Sequence, residues 1–172
     1  MHVDRLAASD ASRYRALMLH AYESAADAFT STPEERAAEP ATWWVGRIAD
    51  PRGLSLAWGA FHDGDLIGTV TIEFSAKPKT RHKAHLIGMF VKESARGLGA
   101  GKALLQAALA AAAARPGVRV VTLTVTEGNG PALALYTSGG FAAFGVEPMA
   151  IATPEGFRSK VHMWLDLERA RA

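Results

Sequence analysis

Apolar positions in the first quarter of the chain recur at helical spacing. Tyr14, Leu17, Met18 and Tyr22 lie three or four residues apart behind Ser9 and Asp10, either of which can cap a first turn, and they predict a helix to about residue 26. The short stretch 2–6 before it is long enough only for a first strand. Thr30-Ser31-Thr32-Pro33 opens a second helical region, since proline suits a first helical position. Trp43, Trp44 and Ile48 belong to that region or to a short helix after Pro40. Beyond the turn at Asp50-Pro51-Arg52-Gly53 the pattern changes to strands. Residues 54–61 and 66–74 flank His62-Asp63-Gly64-Asp65, in which Asp-Gly signals a hairpin turn. Residues 85–91 form a further strand. Leu104, Leu105, Ala108, Leu109 and Ala112 share one face of a helix over 99–114, which Arg115-Pro116-Gly117 stops. Residues 118–126 are nearly all β-branched and predict a strand buried on both faces. A short helix over 129–138 ends at Gly139-Gly140, and 141–151 pairs with 159–167 around Pro154-Glu155-Gly156.

The resulting order is strand, two helices, three strands, helix, strand, helix, two strands. It predicts a mixed α/β fold, with a central mixed sheet of about seven strands flanked by helices, in a single domain over 1–172. Because helix 99–114 is a crossover, strands 85–91 and 118–126 are expected to run parallel.

Composition narrows the class. The chain has 172 residues, 49% of them hydrophobic and 21% charged, which is enough apolar material for a core. No apolar run suits a membrane span, and the charged start His2-Val3-Asp4-Arg5 does not resemble a secretory signal, so a cytoplasmic location is expected. Nineteen basic and 17 acidic residues leave a net charge of +2, too even to argue for nucleic acid. No cysteine is present, which excludes disulfides, thiolate metal sites and a cysteine nucleophile. The six histidines are scattered, and His82 and His85 lack a carboxylate motif for a metal. A homodimer stays open.

The candidate chemistry begins with Arg96-Gly97-Leu98-Gly99-Ala100-Gly101-Lys102, where a strand gives way to a helix. Glycines allow close backbone approach, and a helix N-terminus offers free N–H groups and a positive dipole end to a phosphate. A Walker-type loop fails here because Ala103 follows Lys102 and Arg96 occupies the first glycine position. A dinucleotide fingerprint fails because its third glycine position is Lys102. What remains is Arg96-x-x-Gly99-x-Gly101, for which a flexible turn without a ligand is the plain alternative. After the next strand comes Asn129-x-x-Ala132-x-x-Leu135-Tyr136-x-x-x-Gly140-Phe141.

Together the two motifs resemble the GCN5-related N-acetyltransferase (GNAT) superfamily, specifically over residues 84–141 and in element order over nearly the whole chain. The resemblance implies a sheet splayed between strands 85–91 and 118–126, with acetyl-CoA as co-substrate and direct acetyl transfer to an amine without an acyl-enzyme. It implies that the backbone of Gly97, Leu98, Gly99, Ala100, Gly101 and Lys102, helped by Arg96, holds the pyrophosphate. Met89, Phe90 and Val91 would line the pantetheine, and Gly88 would mark a bulge that opens the gap, or simply close packing. Tyr136 corresponds to the family's general acid, a phenol protonated at neutral pH, unless it only packs under its helix. Asn129 would reach the pantetheine, cap the helix, or both.

The general base is open among His85, six residues before Val91, Glu73 in the preceding strand, and Glu127. A histidine base is expected to give a rising pH limb between about 6 and 8. Some peptide-amine acetyltransferases of the superfamily carry a glutamate five residues before the asparagine. Here that position is Thr124. Phe29, Trp43 and Trp44 could wall the acceptor or belong to the core. Lys77, Lys79, Arg81, His82 and Lys83 could draw an anionic acceptor or form a solvated loop. The leading expectation is N-acetylation of a primary amine on a small or amino-acid-like molecule. Acetylation of a protein or aminoacyl-tRNA amine, and a non-catalytic acyl-CoA-binding sensor or interaction module, are the alternatives.

Overall fold

The computed structural model describes residues 1–169. Its elements are β1 (His2–Arg5), α1 (Ala11–Ser24), α2 (Pro33–Ala37), α3 (Ala41–Ile48), β2 (Ser55–His62), β3 (Asp65–Phe74), β4 (Lys83–Val91), α4 (Ala100–Ala114), β5 (Val120–Thr126), α5 (Gly130–Ser138), β6 (Ala142–Thr153) and β7 (Gly156–Asp166). The strands form one mixed sheet in the order β1-β2-β3-β4-β5-β7-β6. The β4–β5 pair is parallel, as the α4 crossover requires, and its neighbours pair antiparallel.

Local chemistry accounts for several boundaries. Thr32 caps α2 reciprocally: its hydroxyl accepts from the Glu35 N–H at 3.2 Å, and the Glu35 carboxylate accepts from the Thr32 N–H at 2.8 Å. Asp63 and Gly64 both take positive φ (51° and 87°), the turn whose twist matches a two-residue hairpin. Arg115 leaves the helix for extended backbone ahead of Pro116. Strand β4 starts two residues earlier than sequence periodicity predicts, because Lys83 finds a partner in Val120. Strand β5 starts two residues later. The Val118 N–H is taken into a turn by the Arg115 carbonyl, and the Arg119 N–H donates to the His82 carbonyl. The last hairpin runs further than predicted, to Thr153↔Gly156 at its tip.

Helices cover both faces of the sheet. On one, Leu104, Leu105, Ala108 and Ala112 of α4 pack on Val70, Ile72, Leu86, Val121 and Leu123. On the other, Tyr14, Met18, Trp44 and Ile48 of α1 and α3 pack on Ala57. Strand β6, on the open edge, leaves Phe144, Val146 and Met149 exposed. Among the described residues no helix is long and apolar enough to cross a membrane.

The feature that makes a site lies in the middle of the sheet. Strands β4 and β5 pair only at Lys83↔Val120, Ala84↔Val121 and His85↔Thr122. Thereafter β5 stays with β7, from Thr122↔Trp164 to Thr126↔Lys160, while β4 stays with β3. Between Thr69↔Phe90 and Thr71↔Ile87 the two residues Gly88 and Met89 face one residue of β3. Gly88 has φ +59°, so it is the bulge residue and not merely a small residue in a tight place. The bulge turns β4 away from β5. Its β5-facing backbone beyond His85 is left without a strand partner, so these polar groups are available to a ligand.

Candidate active site

Where the strands separate, a cleft of about 360 Å³ opens. Its lining from the sheet is His85, Leu86, Ile87, Gly88 and Met89 of β4, Thr124, Val125 and Thr126 of β5, and Lys160 of β7. Asn129, Ala132, Leu135 and Tyr136 close it on the α5 side, and Phe29 to Ser31 with Tyr22, Arg36 and Arg47 close it on the helical side. The Asn129 side chain accepts from the Ala132 N–H at 3.2 Å, so it is the helix cap and also lines the cleft.

The glycine loop leads into this cleft. Gly97 and Gly99 have φ of +84° and +78°, a conformation that side chains with a Cβ adopt at a cost. Gly99 caps α4, and the N–H groups of Gly97 through Lys102 find no acceptor among the described residues; the first satisfied donor is Ala103, bonded to the Gly99 carbonyl. Six consecutive free donors at a helix N-terminus form a cradle for an anion, and a Cβ at Gly97 or Gly99 would point into open space. Arg96 lies exposed beside the loop, 3.7 Å from the Glu93 carboxylate. Gly101 joins loop to cleft: its missing Cβ would stand 3.4 Å from Leu135, a cleft residue. A pyrophosphate in the cradle, with a pantetheine arm along the unpaired edge of β4, therefore fits the residues present. Of that edge, Met89 lines the cleft, while the Phe90 side chain is buried in the core under α1 and that of Val91 packs on the core under α4, so only backbone groups of these last two could meet a pantetheine.

Tyr136 is 6% exposed. Its ring meets Phe141 edge-on at 5.9 Å, and its hydroxyl has no hydrogen-bond partner among the described residues. Burial holds its phenol well above the ordinary value near 10, so it keeps its proton through the neutral and mildly alkaline range.

His85 lies on β4 at the last paired position before the gap. Its Nδ1 is 2.9 Å from the Thr122 hydroxyl, which in turn donates to the Ala84 carbonyl at 3.4 Å. A hydroxyl that spends its hydrogen on a carbonyl accepts from the ring, so this chain assigns the proton to Nδ1 and leaves the Nε2 lone pair free. Burial is the largest influence on the ring and lowers its pKa below 6.5, against an opposing pull from Glu73. The limb expected between about 6 and 8 therefore moves below about 6.5.

The carboxylates are elsewhere. Glu73 is the cross-strand partner of His85, but its Oε1 is held by Arg47 Nη1 at 3.1 Å, and it lines a separate groove with Trp43 and Arg52. Glu127 lines another groove with Asp27 and Arg158. Of the three aromatic wall candidates only Phe29 lines the cleft. Trp44, at 1% exposure, is core against Tyr14, and Trp43 meets Trp44 edge-on. None of the basic residues from Lys77 to Lys83 lines the cleft. Thr122, Arg36, Arg47 and Lys160 have no sequence signal to set them apart, since each is an ordinary residue at an ordinary strand or helix position.

Comparison with known proteins agrees with this geometry. The model of the acetyltransferase (GNAT) family matches residues 18–141. No curated protein sequence matches the chain. Among solved structures, the ribosomal-protein-alanine N-acetyltransferase of Brucella melitensis is similar in fold, with 22% identity, coverage of 96% of this chain and 99% of that one, and a TM-score of 0.79. An N-acetyltransferase of Staphylococcus aureus Mu50 has 20% identity, coverage of 96% and 98%, and a TM-score of 0.80. The Salmonella typhimurium protein yncA, solved with its cofactor acetyl-CoA, has 19% identity, coverage of 97% and 94%, and a TM-score of 0.80. The match takes in the bulged strand, the glycine loop and the Asn129–Tyr136 helix, and with them on one cleft this chain belongs to the GNAT family of acetyl-CoA-dependent acetyltransferases.

Proposed function

We propose that the protein is one domain that transfers acetyl directly from acetyl-CoA to the primary amine of a small molecule. His85 serves as base and Tyr136 as acid. The observation that carries the reading is that a histidine with its Nε2 lone pair free and a protonated, unpartnered phenol line the same cleft beside the glycine loop. Acetyl-CoA supplies the activated thioester. The amine nitrogen forms the new C–N bond as the C–S bond breaks. His85 Nε2 takes the amine proton directly or through one water, and the Tyr136 hydroxyl gives a proton to the departing sulfur. The paired state of Glu73 favours His85 over that carboxylate.

A second reading, acetylation of a protein amine, draws on the names of two structural neighbours, the ribosomal-protein-alanine N-acetyltransferase of Brucella melitensis and the ribosomal-protein-S18-alanine N-acetyltransferase of Escherichia coli. One assay tests both: acetyl-CoA with a panel of small amines and short peptides, reading free thiol. Turnover of small amines that His85→Gln and Tyr136→Phe both depress supports the first reading. Turnover confined to peptides supports the second and overturns the first.

A further inference from the structure

Beyond the two candidate proton-transfer residues, the charge of the cleft is one-sided. Arg36, Arg47 and Lys160 line it, and no aspartate or glutamate does. A simple amine arriving as an ammonium ion would meet three cations and no carboxylate on the cleft wall itself, the partners of Arg36 and Arg47 lying outside it. An amine that carries its own anion would not. We propose that the acceptor bears a compact oxyanion, a carboxylate or phosphonate, close to its amine, and that the guanidiniums of Arg36 and Arg47 hold it. The proposal rests on the cleft's being the site of transfer.

The two arginines form a built pair. They come from different helices, α2 and α3, and both pack on one indole: the guanidinium carbons stand 4.5 Å (Arg36) and 5.4 Å (Arg47) from the centre of the Trp43 ring. Such packing restrains two long side chains before any ligand arrives, which lowers the ordering cost of binding. Both also act on Tyr22, another cleft residue, and oppose the upward push of burial on its phenol.

Their hydrogen-bonding capacity is underused. Each guanidinium has five N–H donors. Arg47 meets Glu73 through Nη1 at 3.1 Å, and Arg36 meets Glu39 through Nη1 at 3.5 Å. The Arg36 Nε is buried with no partner. Thr30 and Ser31 bring hydroxyls to the same wall. Lys160 on β7 adds a third cation from a different side of the cleft and has no carboxylate within ion-pair distance among the described residues. The same field would favour the neutral form of the bound amine, because a positive surrounding lowers an ammonium pKa. The anion-binding and the transfer chemistry thus call for the same charge.

The test uses matched acceptors. Each of the twenty L-amino acids, together with a set of aminoalkylphosphonates, is compared with its carboxamide or its decarboxylated or dephosphonylated amine, with acetyl-CoA present and thiol release measured. At least one acid should exceed its neutral counterpart by about 10- to 100-fold in kcat/KM, mostly through KM, as a site built for a charged partner rejects an analogue lacking it. In Arg36→Gln and Arg47→Gln that ratio should fall toward one, with Arg36→Lys between wild type and Arg36→Gln. A melting shift with acetyl-CoA shows that each variant is folded. If a glutamine variant does not fold, the wild-type ratio decides alone. Turnover of neutral amines or peptides with no preference for the acids overturns the proposal and leaves the transferase reading standing. No thiol release with any amine or peptide overturns both.

Discussion

At the scale of the residue, the two proton-transfer candidates make separable predictions. Tyr136→Phe removes a hydroxyl that bonds to nothing among the described residues, so the fold should lose almost no stability. If the phenol is the acid, kcat should nevertheless fall by roughly 10- to 1,000-fold while acetyl-CoA still binds. Unchanged turnover would make Tyr136 a packing residue. For His85 the sign follows from burial. A lowered pKa means the ring is neutral, and able to accept, throughout the range above about 6.5, and that activity is lost as pH falls through the lowered value. The pH profile of kcat/KM should show a limb below about 6.5, and His85→Gln should lower the rate and remove that limb. Thr122→Val keeps the shape but takes away the acceptor that directs the Nδ1 proton. A fall of about tenfold with the limb retained would identify Thr122 as the residue that sets the tautomer.

At the scale of the element, the bulge in β4 and the loop before α4 are the parts on which the proposed binding of acetyl-CoA depends. In Gly88→Ala the added Cβ meets only ordinary contacts, the nearest being Thr71 Oγ1 at 3.7 Å, so its penalty comes from the φ of +59°. A side chain in that region costs about 1–2 kcal/mol, or roughly 2–8 °C in Tm for a chain of this size. If the backbone instead relaxes toward a regular strand, β4 moves back toward β5 and acetyl-CoA affinity drops further than stability does. Calorimetric melting and titration of the same variant distinguish the two effects. Helix α4 contributes through its first turn only, where the free N–H groups are. The alanine run Ala110 to Ala114 matters to packing and not to the ligand, with Ala112 fully buried against the sheet.

At the scale of the whole molecule, the cofactor cleft joins parts that are far apart in the chain, so a ligand filling it should tie them together. Saturating acetyl-CoA at about 100 times its Kd should add about 2.7 kcal/mol and raise Tm by roughly 5–10 °C. Gly99→Trp, which fills the space its Cβ would enter, should abolish the shift measured against the variant's own Tm. A full shift in that folded variant would mean that the pyrophosphate is held elsewhere.

The order of helices and strands, the Asp63-Gly64 turn, the stop at Pro116 and the glycine loop were all legible in the amino-acid sequence, because each depends on the chemistry of a few neighbouring residues. The parallel pairing of β4 and β5 was legible too, since a crossover helix leaves no other direction. The site depended on something else. Along the chain His85 was the leading base with Glu73 its rival, and the two are neighbours in the sheet, yet Arg47, reaching across from α3, occupies Glu73 and leaves His85 to face the cleft. Thr122 meets His85 because the two strands stay paired for three residues and then part. Arg36, Arg47 and Lys160 share one cleft although more than a hundred residues separate the first two from the third. Periodicity encodes which face of an element is apolar. It does not encode which charged side chains from separate elements converge on a gap, because strand register, bulge and helix docking set those distances together.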